Sequence, residues 1–298
     1  MPVHHDACPA CGSPDIAYVL TAEDYTVSRE RFDILECAAC TLRFTQDVPA
    51  EADIGPYYRS EEYISHSNTS AGLINSLYQR VRQITLSQKR ALLREITGQQ
   101  TGSLLDVGCG TGEFAHTMQA AGWHVRGLEP DAGARAFAKT EYGLTVEEPP
   151  ALHKLNGTYD AVTLWHVLEH VHELHPYLDR LAELIGEAGT LVIAVPNYTS
   201  PDARRYASHW AAYDVPRHLY HFSPASMTRL LKRHGLRVEE TRAMPFDGFY
   251  VSMLSEKYAS GGASNGLIGG VRRGLGTLAA GARSPTQSSS VIYVCRRG

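Results

Sequence analysis

The stretch Leu104-Leu105-Asp106-Val107-Gly108-Cys109-Gly110-Thr111-Gly112 is the most informative part of this 298-residue chain. Its apolar first half predicts a buried strand that ends at an acid. A glycine-rich turn then leads into a helical pattern that starts at Glu113. Glycines let a backbone approach a ligand closely, and ligands of open α/β sheets sit beyond the carboxyl ends of the strands. The stretch therefore predicts a ligand-binding turn.

Strand and helix patterns alternate on the carboxyl side of this turn. Predicted strands cover residues 104–107, 124–128, 144–147, 161–166, 190–195, 237–243 and 290–295, and predicted helices cover 113–121, 132–142, 176–185 and 225–234. Repeated βα units of this length predict an α/β fold with a doubly wound, Rossmann-like parallel sheet. We expect the last strand to run antiparallel to 237–243. On the amino side, apolar residues at helical spacing predict a helix over 73–96.

Two carboxylates indicate which ligand the turn binds. Asp106, just before the turn, would repel a pyrophosphate but attract a cationic amino-acid group. Glu129 ends the next strand, where a carboxylate can accept both hydroxyls of a ribose. A dinucleotide is therefore disfavoured, although the GxGxG spacing alone would permit one.

At these residues the chain resembles the class I S-adenosylmethionine (SAM)-dependent methyltransferases, over residues 73 to 298. The resemblance implies that Gly108, Gly110 and Gly112 approach the methionine and ribose parts of SAM. It also implies that Glu129 binds the ribose hydroxyls and that Asp106 supports the loop and the ammonium end. The cofactor-binding set that we predict is Asp106, Gly108, Cys109, Gly110, Gly112, Glu129, Pro130 and His166.

Two histidine-rich segments fall at the ligand-facing edge of the predicted sheet. Methyl transfer from SAM requires an aligned nucleophile and, for a hydroxyl or carbon acid, removal of a proton, which histidine can perform near neutral pH. The segment 164–171, with Leu168-Glu169-His170, resembles the "LEH" segment of a branch of small-molecule methyltransferases. That resemblance implies that His166 lies near the cofactor and His170 near the substrate.

The second segment, residues 214–223, is similar to a stretch of zinc-containing sugar C-methyltransferases. The similarity implies that His218 is the base and that Tyr57 or Tyr58 assists it; of these two we select Tyr58. Arg217 stands where those enzymes have Glu, and their large C-terminal domain has no counterpart. Arg217 would suit a phosphate or carboxylate on the substrate. Whether His170 or His218 is the base stays open.

Four of the six cysteines form two CxxC pairs, Cys8 with Cys11 and Cys37 with Cys40. Two such pairs can close a tetrahedral Zn–S4 site. Short strands between them predict a small zinc ribbon, with too little core to fold without the metal. We therefore expect structural Zn²⁺ beside SAM as a second bound group.

Composition narrows the function classes. The chain is 43% hydrophobic and 20% charged, with a net charge of −4. Residues 1–100 carry 9 basic and 13 acidic side chains, where an RNA-binding ribbon should be basic. No apolar run approaches the ~20 residues that span a bilayer, and residues 1–20 do not resemble a signal peptide. We expect a cytoplasmic protein that binds no nucleic acid and has no membrane span.

The predicted organisation is a zinc ribbon over 1–47, a connecting and helical lid region over 48–98, and a SAM-binding domain over 99–298 with a mobile excursion at 261–289. The predicted function is methyl transfer from SAM to a small or carrier-linked acceptor such as a sugar, sugar nucleotide or polysaccharide precursor. Two alternatives stay open: an RNA methyltransferase that grips its target with the ribbon, and a non-catalytic scaffold with a SAM-type fold. The sequence leaves the oligomeric state undetermined.

Overall fold

The strands form two sheets in a computed structural model that describes residues 2–59, 73–261, 281 and 283–298. The smaller sheet has four strands and the larger has seven. In chain order the strands are β1 (Ile16–Glu23), β2 (Arg31–Cys37), β3 (Arg43–Thr45), β4 (Ser103–Val107), β5 (His124–Leu128), β6 (Val146–Glu147), β7 (Ala161–Trp165), β8 (Thr190–Pro196), β9 (Tyr220–His221), β10 (Leu236–Ala243) and β11 (Ser290–Arg297).

Helices connect the strands of the larger sheet. The α-helices are α1 (Leu73–Thr97), α2 (Glu113–Ala120), α3 (Ala132–Tyr142), α4 (Leu174–Ile185), α5 (Pro201–Tyr206), α6 (Pro224–Arg233) and α7 (Pro245–Ala259). Short 3-10 helices cover Gly55–Tyr58, Pro149–Lys154, Leu168–His170, Ala207–His209, Ala211–Tyr213 and Pro285–Gln287. None of the helices in the described part of the chain is long and apolar enough to cross a membrane.

The larger sheet confirms the predicted doubly wound α/β fold. Its strand order is β10-β11-β8-β7-β4-β5-β6, in which β4 pairs in parallel with both β5 and β7. The last strand, β11, runs antiparallel to β10, as predicted, and also to β8. Because the order reverses direction beside β4, the loop after β4 opens at the topological switch point, where ligands of such sheets bind.

Some predicted elements end elsewhere in the structure. Strand β6 covers only Val146–Glu147 of the predicted 144–147, and helix α4 begins at Leu174 rather than at residue 176. Helix α6 begins at Pro224, one residue before the predicted start, and the hydroxyl of Ser223 before it accepts the Ser226 N–H. Of the expected excursion at 261–289, residues 262–280 and 282 lie outside the described part.

The smaller sheet joins the N-terminal segment to the rest of the molecule. Strand β3 pairs with β9, which lies in the insertion between α5 and α6, so the order is β1-β2-β3-β9. Leu42 and Phe44 are fully buried in the same apolar cluster as Phe222 and the strands of the larger sheet. The small core that the sequence predicts for the ribbon is thus completed by the sheet domain.

Candidate functional site

The loop after β4 places three glycines with positive φ at the switch point: Gly108 at 67°, Gly110 at 54° and Gly112 at 84°. A Cβ on Gly108 would lie 2.4 Å from Val167, and one on Gly112 would lie 2.7 Å from Leu144. Those two glycines are therefore required by packing. A Cβ on Gly110 would meet nothing within 4 Å, so this residue turns bare backbone toward open space.

Asp106 lies at the floor of this loop and is almost fully buried. Its Oδ1 accepts a hydrogen bond of 2.6 Å from the Thr163 hydroxyl on β7. Burial raises the pKa of Asp106 to about 6, although the Thr163 bond and the charge of Lys89 lower it. With a pKa of about 6 the carboxylate is charged at neutral pH, which suits a cationic ligand.

Glu129 lies at the end of β5 with each carboxylate oxygen fixed by a backbone N–H. Gly110 donates to Oε2 and Asp131 donates to Oε1, both at 2.9 Å. Burial raises the pKa of Glu129, against these two bonds, which lower it. Since a carboxylate has about four acceptor sites, two remain for ligand hydroxyls.

The two other members of the predicted set on this side contribute chiefly backbone. The Cys109 sulfur packs against β5, 2.7 Å from where a Cβ of Gly127 would stand, and the Cys109 N–H donates to the Leu128 carbonyl at 3.0 Å. Pro130 is exposed, and its carbonyl accepts a bond of 2.7 Å from Arg135. Neither side chain offers a polar group to a ligand.

Lys89 on α1 is a candidate site residue that the sequence prediction missed. Its ammonium lies 4.1 Å from the Trp165 ring centroid and 5.6 Å from that of Phe114. Burial lowers the pKa of Lys89 to about 8, although the charges of Asp106, Asp247 and Glu113 raise it. The sequence does contain a signal for this position. Lys89 lies three residues before Leu92 and four before Leu93, which are both buried, so the helical period puts it on the apolar side of the helix.

His166, directly after β7, has φ of 58°, a conformation that few side chains adopt. Its Nδ1 lies 3.3 Å from Glu169 Oε1, and its Nε2 lies 3.8 Å from Asp247 Oδ1. Burial lowers the pKa of His166, but the charge of Asp247 and the bond to Glu169 outweigh it, so the pKa is raised overall. This conformation at the end of β7 places the ring between the carboxylates of Glu169 and Asp247.

Tyr58, His170 and His218 come together from three distant segments. The His170 and His218 ring centroids are 4.6 Å apart at an interplanar angle of 82°. The Tyr58 hydroxyl lies 3.0 Å from His170 Nδ1. Tyr57 instead donates its hydroxyl to Glu30 at 2.5 Å, so Tyr58 is the tyrosine of the pair that reaches the histidines.

Main-chain carbonyls determine which nitrogen of each ring is protonated. His170 Nδ1 lies 3.0 Å from the Arg217 carbonyl, and His218 Nδ1 lies 2.9 Å from the Ala212 carbonyl. Because a carbonyl only accepts, we assign the proton of each neutral ring to Nδ1, and the Tyr58 hydroxyl then accepts from the same His170 Nδ1–H. This assignment leaves Nε2 of each neutral ring as the proton acceptor. Burial and the neighbouring His218 lower the pKa of His170 to about 4, which keeps that ring neutral.

Glu169 supplies a buried carboxylate beside these rings. It is fully buried, and Oε2 has no hydrogen-bond partner among the described residues. Burial raises its pKa, but His166, His218 and His170 outweigh burial and lower it. One atom each of Glu169, His170 and His218 lies within 4.8 Å of the others, so this trio could also hold a cation.

Arg217 does not serve the role that the sequence suggests. Its side chain is 1% exposed and its donors are taken up by this chain. They bond to the carboxylates of Asp24 and Asp214 and to the Tyr57 carbonyl at 2.7–3.0 Å. The predicted contact with a substrate anion is therefore wrong, because ion partners from two segments enclose the guanidinium.

The four predicted metal ligands meet at the base of the smaller sheet. Cys8 and Cys40 have their sulfurs 3.5 Å apart, as do Cys11 and Cys37, and all four sulfurs lie within 4.8 Å of one another. The four thiols are unpaired by disulfides. Four converging sulfurs fit the tetrahedral set that Zn²⁺ prefers.

Comparison with known proteins gives a family and several relatives. Residues 78–241, more than half of the chain, match the family model described as "Methyltransferase domain". A ubiquinone biosynthesis O-methyltransferase of Cronobacter sakazakii is 35% identical over 104 residues, which are 32% of this chain and 42% of the relative. An uncharacterized methyltransferase of Bacillus cytotoxicus is 24% identical over 52% of this chain and 79% of its own length. The chain thus spans less than half of the Cronobacter protein.

Two solved structures resemble the chain in fold. Magnesium protoporphyrin IX methyltransferase from Synechocystis, with bound S-adenosylhomocysteine, has a TM-score of 0.53 at 16% identity, covering 81% of this chain and 97% of its own. The 1,6-didemethyltoxoflavin-N1-methyltransferase of Burkholderia thailandensis, with the same product bound, has a TM-score of 0.51 at 14% identity, covering 93% and 99%. At such identity the likeness concerns the fold alone.

Proposed function

This chain belongs to the methyltransferase domain family, and on that premise we propose that it transfers the methyl group of SAM to a small or carrier-linked acceptor. The observation that carries the proposal is the pairing of two features at one sheet edge. One is the turn after β4, whose backbone is open at Gly110 and which lies beside the carboxylates of Asp106 and Glu129. The other is the pair of histidines, each with Nδ1 on a carbonyl.

The residues around the turn fit the groups of SAM. The charged Asp106 suits the ammonium of the methionine part, and the free acceptor sites of Glu129 suit the ribose hydroxyls. Gly110 offers bare backbone between them. Lys89 is the cation of this half of the site and suits the methionine carboxylate. Cys109, Pro130 and His166 complete the surroundings that we assign to the cofactor.

The histidines can supply the proton transfer that the acceptor requires. SAM carries its methyl group on a sulfonium, so a lone pair of the acceptor forms the new bond as the carbon–sulfur bond breaks. We assign to His218 Nε2 the role of taking the proton that the acceptor loses, and to Tyr58 and His170 the role of orienting the acceptor beside it. Glu169 stabilises the positive charge that His218 gains.

Two acceptor classes are consistent with this chemistry. A sugar, sugar nucleotide or polysaccharide precursor follows from the similarity of residues 214–223 to sugar methyltransferases. A phenolic hydroxyl follows from the relatives whose name is ubiquinone biosynthesis O-methyltransferase. Because Arg217 is enclosed, an anionic group on either acceptor must be bound by another residue.

The four-cysteine cluster is the second bound-group site that we assign. Its sulfurs converge as a zinc ligand set requires, and Zn²⁺ bound there would fix the loops at the base of the smaller sheet. We assign the ribbon to the frame of the acceptor site. An RNA-gripping role is disfavoured by the acidic balance of residues 1–100.

The test of this proposal follows tritium from methyl-labelled SAM into candidate acceptors. The panel contains nucleotide-linked sugars, catechol-type phenols and RNA, each incubated with the full chain carrying Zn²⁺. Transfer to a sugar or phenol supports the proposal and identifies the class. Transfer to RNA alone would contradict it, and SAM binding without transfer to any cellular small-molecule fraction would favour a non-catalytic scaffold.

A further inference from the structure

The loop that carries Arg217 and His218 is enclosed between the ribbon, residues 2–47, and the larger sheet. Arg217 Nη2 lies 2.9 Å from Asp24 Oδ1, and both side chains are essentially unexposed, at 1% and 0%. Asp24 is in the turn between β1 and β2, 193 residues away in sequence. A buried ion pair thus ties the tip of the ribbon to the loop.

Asp24 is a rigid partner for this pair. Its two carboxylate oxygens accept hydrogen bonds of 2.8–3.2 Å from the backbone N–H groups of Thr26, Val27 and Ser28, and from the hydroxyls of Thr26 and Ser28. A carboxylate fixed by its own turn cannot follow a moving guanidinium. Asp24 therefore anchors Arg217 to the ribbon, in addition to the bonds of the guanidinium to Asp214 and the Tyr57 carbonyl.

The backbone of the same loop continues this restraint to both histidines. His170 Nδ1 lies 3.0 Å from the Arg217 carbonyl and 3.0 Å from the Tyr58 hydroxyl, and with the proton assigned to Nδ1 both oxygens accept from it. One residue on, the His218 carbonyl accepts a bond of 2.7 Å from the hydroxyl of Thr45 at the end of β3. Thr45 also donates its N–H to the Leu219 carbonyl at 2.9 Å.

From these contacts we propose that the ribbon is a positioning element of the acceptor site, acting through Asp24–Arg217 and Thr45. Arg217 and Thr45 are positioning residues: they hold the carbonyl that fixes the His170 tautomer and the peptide that places His218. The imidazole nitrogen left free depends on which carbonyl faces the other nitrogen. The inference rests on the proposed function only for what the two histidines do in turnover.

The tautomers can be observed without an acceptor. Full-length protein carrying Zn²⁺ is labelled with ¹⁵N-histidine, and two-bond ¹H–¹⁵N spectra are recorded, with His170→Gln and His218→Gln providing the assignments. In the wild type we expect Nδ1 protonated and Nε2 unprotonated in both rings. In Asp24→Asn the two nitrogen shifts of His170 should move toward each other, because the released carbonyl lets the tautomers mix.

Matched variants separate positioning from stability. Asp33→Asn changes an exposed carboxylate on the same ribbon and should leave every histidine shift in place. Thr45→Val keeps the buried ion pair and the side-chain shape, so it remains informative if Asp24→Asn does not fold. We expect it to move the shifts of His218 and leave those of His170 unchanged. Unaltered shifts of both rings in folded Asp24→Asn, or of His218 in Thr45→Val, would overturn the proposal.

Turnover and cofactor affinity distinguish this inference from the proposed function. Asp24→Asn should lower kcat by roughly ten- to a hundred-fold, the effect of misplacing a reacting group by about 1 Å. The Kd for SAM should stay within about twofold, because the hydrogen bonds of Asp24 and Arg217 within the described residues go to the β1–β2 turn, Tyr57 and Asp214 and not to the turn after β4. Absence of methyl transfer by the wild type would refute the proposed function while leaving the tautomer result standing.

Discussion

The half of the site that we assign to the cofactor and the half that we assign to the acceptor are built in different ways. Most of the cofactor half comes from β4, β5 and the turn between Asp106 and Gly112, which are neighbours in the chain and in one sheet. Lys89 and His166 join it from α1 and the end of β7. The acceptor half consists of Tyr58, His170 and His218, which come from three segments and meet under the ribbon. The first half is thus fixed by local backbone geometry and the second by contacts across the fold.

This difference predicts that each half can be damaged separately. Changes at the turn should alter SAM affinity, and changes at the ribbon or the histidine loop should alter turnover at constant SAM affinity. An enzyme in which both quantities always changed together would contradict the division.

The largest effect is expected for His218→Gln. Loss of a positioned base lowers turnover by about 10²–10⁴-fold, and the Kd for SAM should not change. Initial rates with labelled SAM and titration calorimetry measure the two quantities. His124→Gln, at an exposed position at the start of β5, serves as the control. If His218→Gln kept full turnover, His170 rather than His218 would be the base.

The second-largest effect on turnover is expected when Zn²⁺ is removed. Without Zn²⁺ the four-cysteine cluster loses its cross-link, so the ribbon no longer holds Asp24 and Thr45 in place. We expect turnover to fall by roughly ten- to a hundred-fold, as for a misplaced reacting group. The measurement is activity and SAM affinity before and after chelation, with Cys37→Ser as the genetic equivalent and Cys295→Ser, away from the cluster, as control. A fall in SAM affinity as large as the fall in turnover would contradict this prediction.

Much of the cofactor half could be predicted from the sequence, because its chemistry lies in one strand, one turn and the next strand end. The glycine spacing, Asp106 and Glu129 are local features, and the two CxxC pairs are likewise local. Their positions in the structure agree with those patterns, although their binding roles stay predictions.

The acceptor half could be predicted less well from the sequence, because the spacing of residues does not show which distant residues come into contact. Residues 57 and 58 are adjacent tyrosines, and only the direction of the 3-10 helix that ends with them brings Tyr58 to His170. From the sequence alone Arg217 is a good candidate for binding an anion. The structure shows that Asp24, 193 residues away in sequence, is its ion partner. Lys89 was missed because a lysine in an amphipathic helix ordinarily faces solvent.

A third effect concerns pH and the cofactor half alone. The pKa of Asp106, raised by burial to about 6, means that its charge is lost as the pH falls below that value. SAM affinity should therefore decline below pH 6, approaching about tenfold per pH unit, since one pKa unit corresponds to about 1.36 kcal/mol. Titrations between pH 5 and 7.5 measure this. Asp106→Asn should bind weakly with no such dependence, whereas Glu141→Gln should retain it.

The smallest effect is expected for Lys89→Met. An ion pair at a partly exposed position contributes up to about 1 kcal/mol, so SAM should bind about fivefold more weakly. Lys89→Arg keeps the charge and should restore most of the affinity. If the methionine variant bound SAM as well as the wild type, Lys89 would be only a packing residue above Trp165.

The central claim is that the turn between Asp106 and Glu129 binds SAM, and calorimetric titration of SAM into the Zn²⁺-loaded full chain tests it most directly. The account predicts a single site per chain with a Kd in the range of roughly 1 μM to 1 mM in which enzymes commonly bind their substrates. It also predicts an affinity about 10- to 100-fold lower for Asp106→Asn, since a hydrogen bond to a charged group contributes about 1.5–3 kcal/mol. No binding by the wild type, or equal binding by both proteins, would contradict it.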